Sequence, residues 1–125
     1  MSTKLTIGYS VLVDRVQNIQ PPKVRSDWET VIVVQNPQQK SWSPKELPQL
    51  GSRSDLKFEE LQSVGVAKSR TRAIWLAGSE YLVFADDDIV FDETGLEDAI
   101  NYLDAHPKLS LLLAQAQDPS GKLRK

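Results

Sequence analysis

Three observations predict a three-layer α/β/α sandwich with a mostly parallel sheet. Thr30-Val31-Ile32-Val33-Val34 is a nearly continuous β-branched run, as expected of a strand buried on both faces inside a parallel sheet. Tyr81-Leu82-Val83-Phe84-Ala85 has the same buried character and runs directly into Asp86-Asp87-Asp88. Around these two runs the chain alternates strand, helix, strand, helix, strand, an order that leads to parallel strands joined by helical crossovers. With 125 residues the chain fits one domain, taken as residues 1–125.

The elements follow in order. Leu5 to Val13 is aliphatic and β-branched and too short for a helix, so it reads as the first strand. Asp14 then caps a short helical turn through Ile19, which Pro21 and Pro22 end. The strand over Thr30 to Val34 is central. Asn36 to Ser54, punctuated by Pro37, Pro44, Pro48 and Gly51, is a long surface loop, mobile or functional. Leu56-Lys57-Phe58 is a short third strand, and Val66 to Ala77 is a helix that Gly78 ends at its C′ position. The strand at Tyr81 to Ala85 comes next. Asp92 or Thr94 caps the following helix, with Leu96, Ala99, Ile100 and Leu103 on one face, His106 capping its end and Pro107 closing it. Leu109 to Ala116 is a further strand, and Asp118-Pro119-Ser120-Gly121 turns the chain back. There is no internal repeat.

Composition narrows the function classes. Hydrophobic residues make up 40% and charged residues 26%, which excludes a disordered chain. A net charge of -2 gives no bulk electrostatic reason to bind a nucleic acid polymer, so any bound anion must be held locally. The absence of cysteine removes thiolate metal sites and cysteine nucleophiles, and a reducing compartment is compatible with it. No apolar stretch is long enough to cross a bilayer and the start has no signal-like apolar core, so the expectation is a cytoplasmic protein, with peripheral membrane association left open.

In open α/β sheets ligands bind beyond the carboxyl ends of the strands, and three places there carry chemistry. Asp86, Asp87 and Asp88 are mutually repelling carboxylates at a strand end, a hard oxygen set suited to Mg²⁺ or Mn²⁺. A solvated acidic turn is the plain alternative. The helix opening at Gly65 brings Lys68, Arg70 and Arg72, and of these Arg70 is the favoured anion contact. Ser10 and Gln35 close the first two strands with side chains that can hydrogen-bond a base or ribose edge. Among the tryptophans, Trp75 on the helix is expected in the core and Trp42 in the loop is the one to test for stacking.

Gly65-Val66-Ala67-Lys68-Ser69-Arg70-Thr71-Arg72-Ala73-Ile74, followed by Ala77-Gly78-Ser79-Glu80-Tyr81-Leu82-Val83-Phe84-Ala85-Asp86-Asp87-Asp88-Ile89, resembles the family-2 glycosyltransferase pattern. The shared features are a glycine, an arginine near a helix start, an Ala-x-Gly-(Asp/Glu)-Tyr turn and an Asp-x-Asp at a strand end. The resemblance implies a GT-A fold, here its N-terminal donor-binding half. It also implies a nucleotide-diphospho-sugar donor of the UDP type, bound through Mn²⁺ or Mg²⁺ at Asp86 and Asp88, with Asp88 the favoured metal ligand. Asp87 lies in the same motif, Arg70 would sit beside the nucleotide, and Ser10 and Gln35 would border the base. Three departures stand out: Thr71 where an asparagine is common, Gln35-Asn36 where an acid often follows the second strand, and Val11-Leu12-Val13-Asp14 where Pro-x-Tyr-Asn is usual.

The acceptor, a saccharide, lipid or protein, is unspecified, and no catalytic base is identified. The chain after Asp88 has room for one helix, one strand and a turn, so little transfer is expected from it alone, and self-association or a completing partner chain is expected to supply the rest. Two rival readings remain: a catalytically silent nucleotide-sugar-binding or interaction module, and a phosphotransfer domain with a phosphorylated strand-end aspartate.

Overall fold

The computed structural model describes residues 3–109, which fall in two compact units divided between Phe91 and Asp92. In the first unit, β1 (Thr3–Leu12), β2 (Trp28–Gln35), β3 (Leu56–Leu61) and β4 (Ser79–Ala85) form one sheet in the order β3-β2-β1-β4. All three strand pairs are parallel. The α/β class and the parallel sheet agree with expectation. β2 extends beyond the β-branched run at both ends, and β3 is longer than its three-residue signal because its mixed sequence LKFEEL hides a strand whose ladder β2 supplies.

The register assigns the two faces. Gly8 lies opposite Val31 and Phe84, and Tyr9 opposite Ile32 and Ala85, so alternate residues of neighbouring strands share a face. On one face α1 (Val66–Leu76) packs Ala73 against Val31 and Val33, with Leu61 and Leu76 around them. On the other, a 3-10 turn over Val13–Asn18 packs against β1 and β2 with Val16 and Ile19 buried. The loop after β2 covers the same face. Its Trp42 ring lies 5.9 Å from Phe58, which pairs with Ile32, and its Gln49 amide donates to the carbonyls of Gln17 at 2.7 Å and Ile19 at 3.3 Å. Within this unit the second face is therefore covered by a 3-10 turn and a loop, since Pro21 and Pro22 leave no length for an α-helix there. Tyr9 is buried on this face, and burial pushes its phenol above its ordinary range, so it stays neutral and donates to the Gln20 carbonyl.

Four local expectations are corrected. Asp14 does not cap the turn after β1: β1 already ends at Leu12, which occupies the capping position, and Lys40 binds the Asp14 carboxylate at 2.8 Å. Gly78 is not a left-handed helix stop. The chain must enter β4 at Ser79, so α1 ends on an extended Ala77 (φ -68°, ψ 126°). Trp75 is not core but 78% exposed. The helix meets the sheet through Ser69, Ala73 and Leu76, and a residue two positions past Ala73 lies about 200° round the helix. Trp42, singled out for stacking on a ligand, instead packs on Phe58 and donates its indole N–H to Glu60.

The second unit contains α2 (Glu93–Ala105). Asp92 occupies its N-cap position, but without the expected side-chain capping hydrogen bond, and Leu96, Ala99, Ile100 and Leu103 form the expected half-buried stripe. His106 closes the helix, its backbone N–H on the Leu103 carbonyl at 3.2 Å and its ring stacked on Tyr102. The strand expected over Leu109 to Ala116 and the turn at Asp118 to Gly121 lie, apart from Leu109 itself, outside the described residues. No described helix is long and apolar enough to cross a membrane.

At the amino edge of the sheet Glu29 ties three elements together. Its carboxylate accepts from Thr6 Oγ1 at 2.7 Å and from the Gly78 amide at 2.8 Å, and it pairs with Lys57 Nζ at 3.1 Å. Burial pushes the Glu29 pKa up, but the bonds from Gly78, Thr6 and Lys57 and the Lys57 charge outweigh it, holding the group below the ordinary value of 4.5. A lowered carboxylate pKa contributes stability that is present above the unfolded-state value and lost as pH falls through the folded one. Glu29→Gln should therefore cost about 1–3 kcal/mol at pH 7, with the deficit shrinking in acid as the native glutamate is protonated. Urea denaturation of both proteins at pH 7 and in acid measures this.

Candidate functional site

Because all four strands are parallel, the chain leaves each of them at the same edge. β1 is the strand at which the order reverses: β2 and β3 are laid down on one side of it and β4 on the other. Loops leaving such a pair diverge and open a crevice at their carboxyl ends. The segments meeting there are the 3-10 turn after β1, the end of β2, the start of α1, and the acidic turn after β4.

At this edge lies a buried polar chain. Gln35 is 5% exposed and holds two elements, its carbonyl oxygen accepting from the Gly65 amide at 2.7 Å and its amide donating to Ser10 Oγ at 3.2 Å. Ser10 bonds in turn to the fully buried hydroxyl of Ser69 on α1. The first amides of a helix have no partner within it, and here a strand-end glutamine supplies one at the N-cap residue. Gly65 adopts φ 156°, a backbone conformation that side chains with a Cβ rarely take, so glycine lets the chain enter α1 at this point. Of the expected site residues, Ser10 and Gln35 are thus joined to one another and to α1, with Arg70 next in sequence to the anchored Ser69.

The acidic residues form a turn, with the Ile89 amide donating to the Asp86 carbonyl at 3.2 Å. The three side chains have different surroundings. Asp86 is 67% exposed and faces the Arg70 guanidinium at 3.9 Å, while the same guanidinium lies over the Phe84 ring at 5.5 Å. Asp87 is only 13% exposed and is held by Arg15 Nε at 2.7 Å, with Asn18 Nδ2 at 3.5 Å. Asp88 is exposed. Among the described residues no group of three or more histidine, cysteine or acidic side chains is placed so as to hold a metal ion.

Sequence reasoning missed Arg15, Asn18 and Ser69. Arg15 and Asn18 do follow a strand end, where the search was directed, but a charged residue in a short turn reads as solvated. Ser69 carried no signal, because its burial depends on which face of α1 meets the sheet.

The family model described as Glycosyl transferase family 2 matches residues 13–123, most of the chain. The chain belongs to glycosyl transferase family 2. Solved structures similar to this family-2 domain include that of S. aureus TarS 1-349, at 21% identity and a TM-score of 0.61, covering 84% of this chain and 33% of that one. The crystal structures of the same TarS segment in complex with UDP-GlcNAc and in complex with UDP match at 21% identity and a TM-score of 0.60, each covering 84% of this chain. They cover 32% and 33% of those chains, so the family-2 domain spans about a third of the structures it resembles. At this identity the likeness shows the GT-A fold. No curated protein sequence matches the chain significantly.

The buried chain in this family-2 domain gives a direct test. Gln35→Ala removes the partner of the part-buried Gly65 amide contact and of Ser10, and should destabilise the protein by about 1–3 kcal/mol. Denaturant titration of the variant against the parent checks this. An unchanged midpoint would mean that Gln35 does not anchor α1.

Proposed function

We propose that the chain binds a nucleotide-diphospho-sugar, of the UDP type, for glycosyl transfer, with the diphosphate held at Asp86 and Asp88 through a divalent cation. The observation that carries this reading is the exposure of Asp86 and Asp88 at the carboxyl end of β4, where the strand order reverses, with a guanidinium on one flank. Family membership and the two TarS structures with UDP-GlcNAc and UDP support it.

The donor set fits a hard cation. Mg²⁺ and Mn²⁺ take carboxylate oxygens, and Mg²⁺ is commonly held by one or two carboxylates with substrate phosphate and water completing the shell. Two exposed aspartates, Asp86 and Asp88, on one turn offer carboxylates for that mode. A cation bound there would stabilise the negative charge that gathers on the diphosphate as the sugar's anomeric bond breaks.

The chain's own residues supply positioning. Arg70, fixed through Ser69 and the Phe84 ring, brings a positive charge beside the turn and would pair with a nucleotide phosphate in place of its long contact to Asp86. Ser10, only partly buried, and Gln35, whose amide holds the Ser10 hydroxyl, would border the base at this strand edge, with Ser10 the nearer to solvent.

UDP should bind in the presence of Mn²⁺ and at least about tenfold more weakly with EDTA, a difference of about 1.4 kcal/mol or more. Asp88→Asn should remove the Mn²⁺-dependent part of the affinity while leaving the melting temperature unchanged or slightly raised, since it takes one charge from a repelling set. Calorimetry with UDP and with UDP-GlcNAc, paired with thermal melts, reads both. Equal affinity with and without chelator would overturn the cation bridge, and an unfolded Asp88→Asn would make the turn structural.

A further inference from the structure

The middle aspartate differs from its neighbours in a way that the sequence does not show. Asp87 is turned back into the protein, whereas Asp86 and Asp88 are exposed. Both of its contacts come from the 3-10 turn that follows β1: Arg15 Nε at 2.7 Å and Asn18 Nδ2 at 3.5 Å, on the same carboxylate oxygen. That turn is itself held firmly. Val16 and Ile19 are buried against the sheet, Lys40 binds Asp14, and Gln49 binds the carbonyls of Gln17 and Ile19. Arg15 thus reaches from an anchored element across the ends of β1 and β4, the pair at which the strand order reverses.

We infer that Arg15 is a positioning residue which, by tethering Asp87, sets the turn over Asp86 to Ile89 so that Asp86 and Asp88 face the ligand. Two physical reasons support the division of labour. Three adjacent carboxylates repel one another, and a guanidinium on the middle one lowers that repulsion without occupying the outer two. A four-residue turn closed by the Ile89 to Asp86 bond has few remaining freedoms, so fixing one central side chain fixes the directions of its neighbours. Asp87 is then a tether rather than a ligand contact. Arg15 acts through it, not on the nucleotide.

The inference rests on the proposed nucleotide site, but half of its test does not. In the ligand-free protein, Arg15→Ala and Asp87→Asn should each make the Ile89 amide exchange with solvent about three- to tenfold faster, while amides in β2 keep their protection. With Mn²⁺ present, each variant should bind UDP about three- to tenfold more weakly, and Arg15→Lys, which keeps a cation able to replace the single Nε contact, should recover most of both effects. The deciding comparison is the double variant. If Arg15 works through Asp87, Arg15→Ala adds nothing in an Asp87→Asn background. Additive losses there would show that Arg15 touches the ligand itself, and an unchanged Ile89 amide in Arg15→Ala would show that no tether exists. Either result overturns the inference. Should the unaltered protein fail to bind UDP, the nucleotide reading falls alone, and the exchange data still decide whether Arg15 holds the turn.

Discussion

In a sheet whose strands all run the same way, every strand ends on one edge, and so does every segment that must leave the sheet. This parallel alignment is the constraint on which the rest of the molecule depends. It places the ends of β1, β2 and β4 and the start of α1 within side-chain reach of one another, although they are far apart in sequence. It also buries β2 at nearly every position, because strands with neighbours on both sides and cover on both faces have no solvent-facing row.

The same alignment creates a polar problem at that edge. A helix entering there has unpartnered amides, strand-end side chains lose water, and carboxylates after β4 meet one another. The structure resolves each locally: Gln35 takes the Gly65 amide, Ser10 and Ser69 bond to each other, and Arg15 takes Asp87. Once those needs are met, Asp86 and Asp88 remain outward. The opposite edge is treated differently. There Glu29 draws the donors of Thr6, Gly78 and Lys57 onto one partly buried carboxylate, which ties the α1–β4 connection to β1, β2 and β3.

Side-chain exposure separates the structural charges from the available ones. Arg53 and Asp55 form a largely buried two-contact pair at 2.6 and 2.9 Å near the start of β3, in which each charge is already matched by the other. Arg70 is the reverse, half-exposed with a carboxylate at the outer limit of pairing and an aromatic ring beneath it. An exposed pair of that length contributes little to stability, so the guanidinium is only weakly committed to Asp86.

The sequence by itself determined the class of fold and the edge at which to look. The β-branched run at Thr30 to Val34 needed no tertiary information, since burial on both faces writes itself into consecutive residues, and the stripe Leu96, Ala99, Ile100 and Leu103 wrote the period of α2 as plainly. Tyr81 to Ala85 is a strand as expected, but at the edge of the described sheet, with Ala85 buried and Phe84 exposed. Asp86 to Asp88 were singled out by position, as acids immediately after a strand, and by the resemblance of the surrounding residues to the family pattern. What the sequence left open were matters of direction. LKFEEL is a full strand only because β2 offers it a ladder, Trp75 points to solvent only because Ser69, Ala73 and Leu76 took the face against the sheet, and α1 stops without a left-handed glycine because β4 begins at once. The difference between Asp87 and its two neighbours belongs with these. Three identical letters carry identical local preferences, and only the folding of Arg15 and Asn18 across the strand ends, from a turn some seventy residues earlier, gives the middle one a different role.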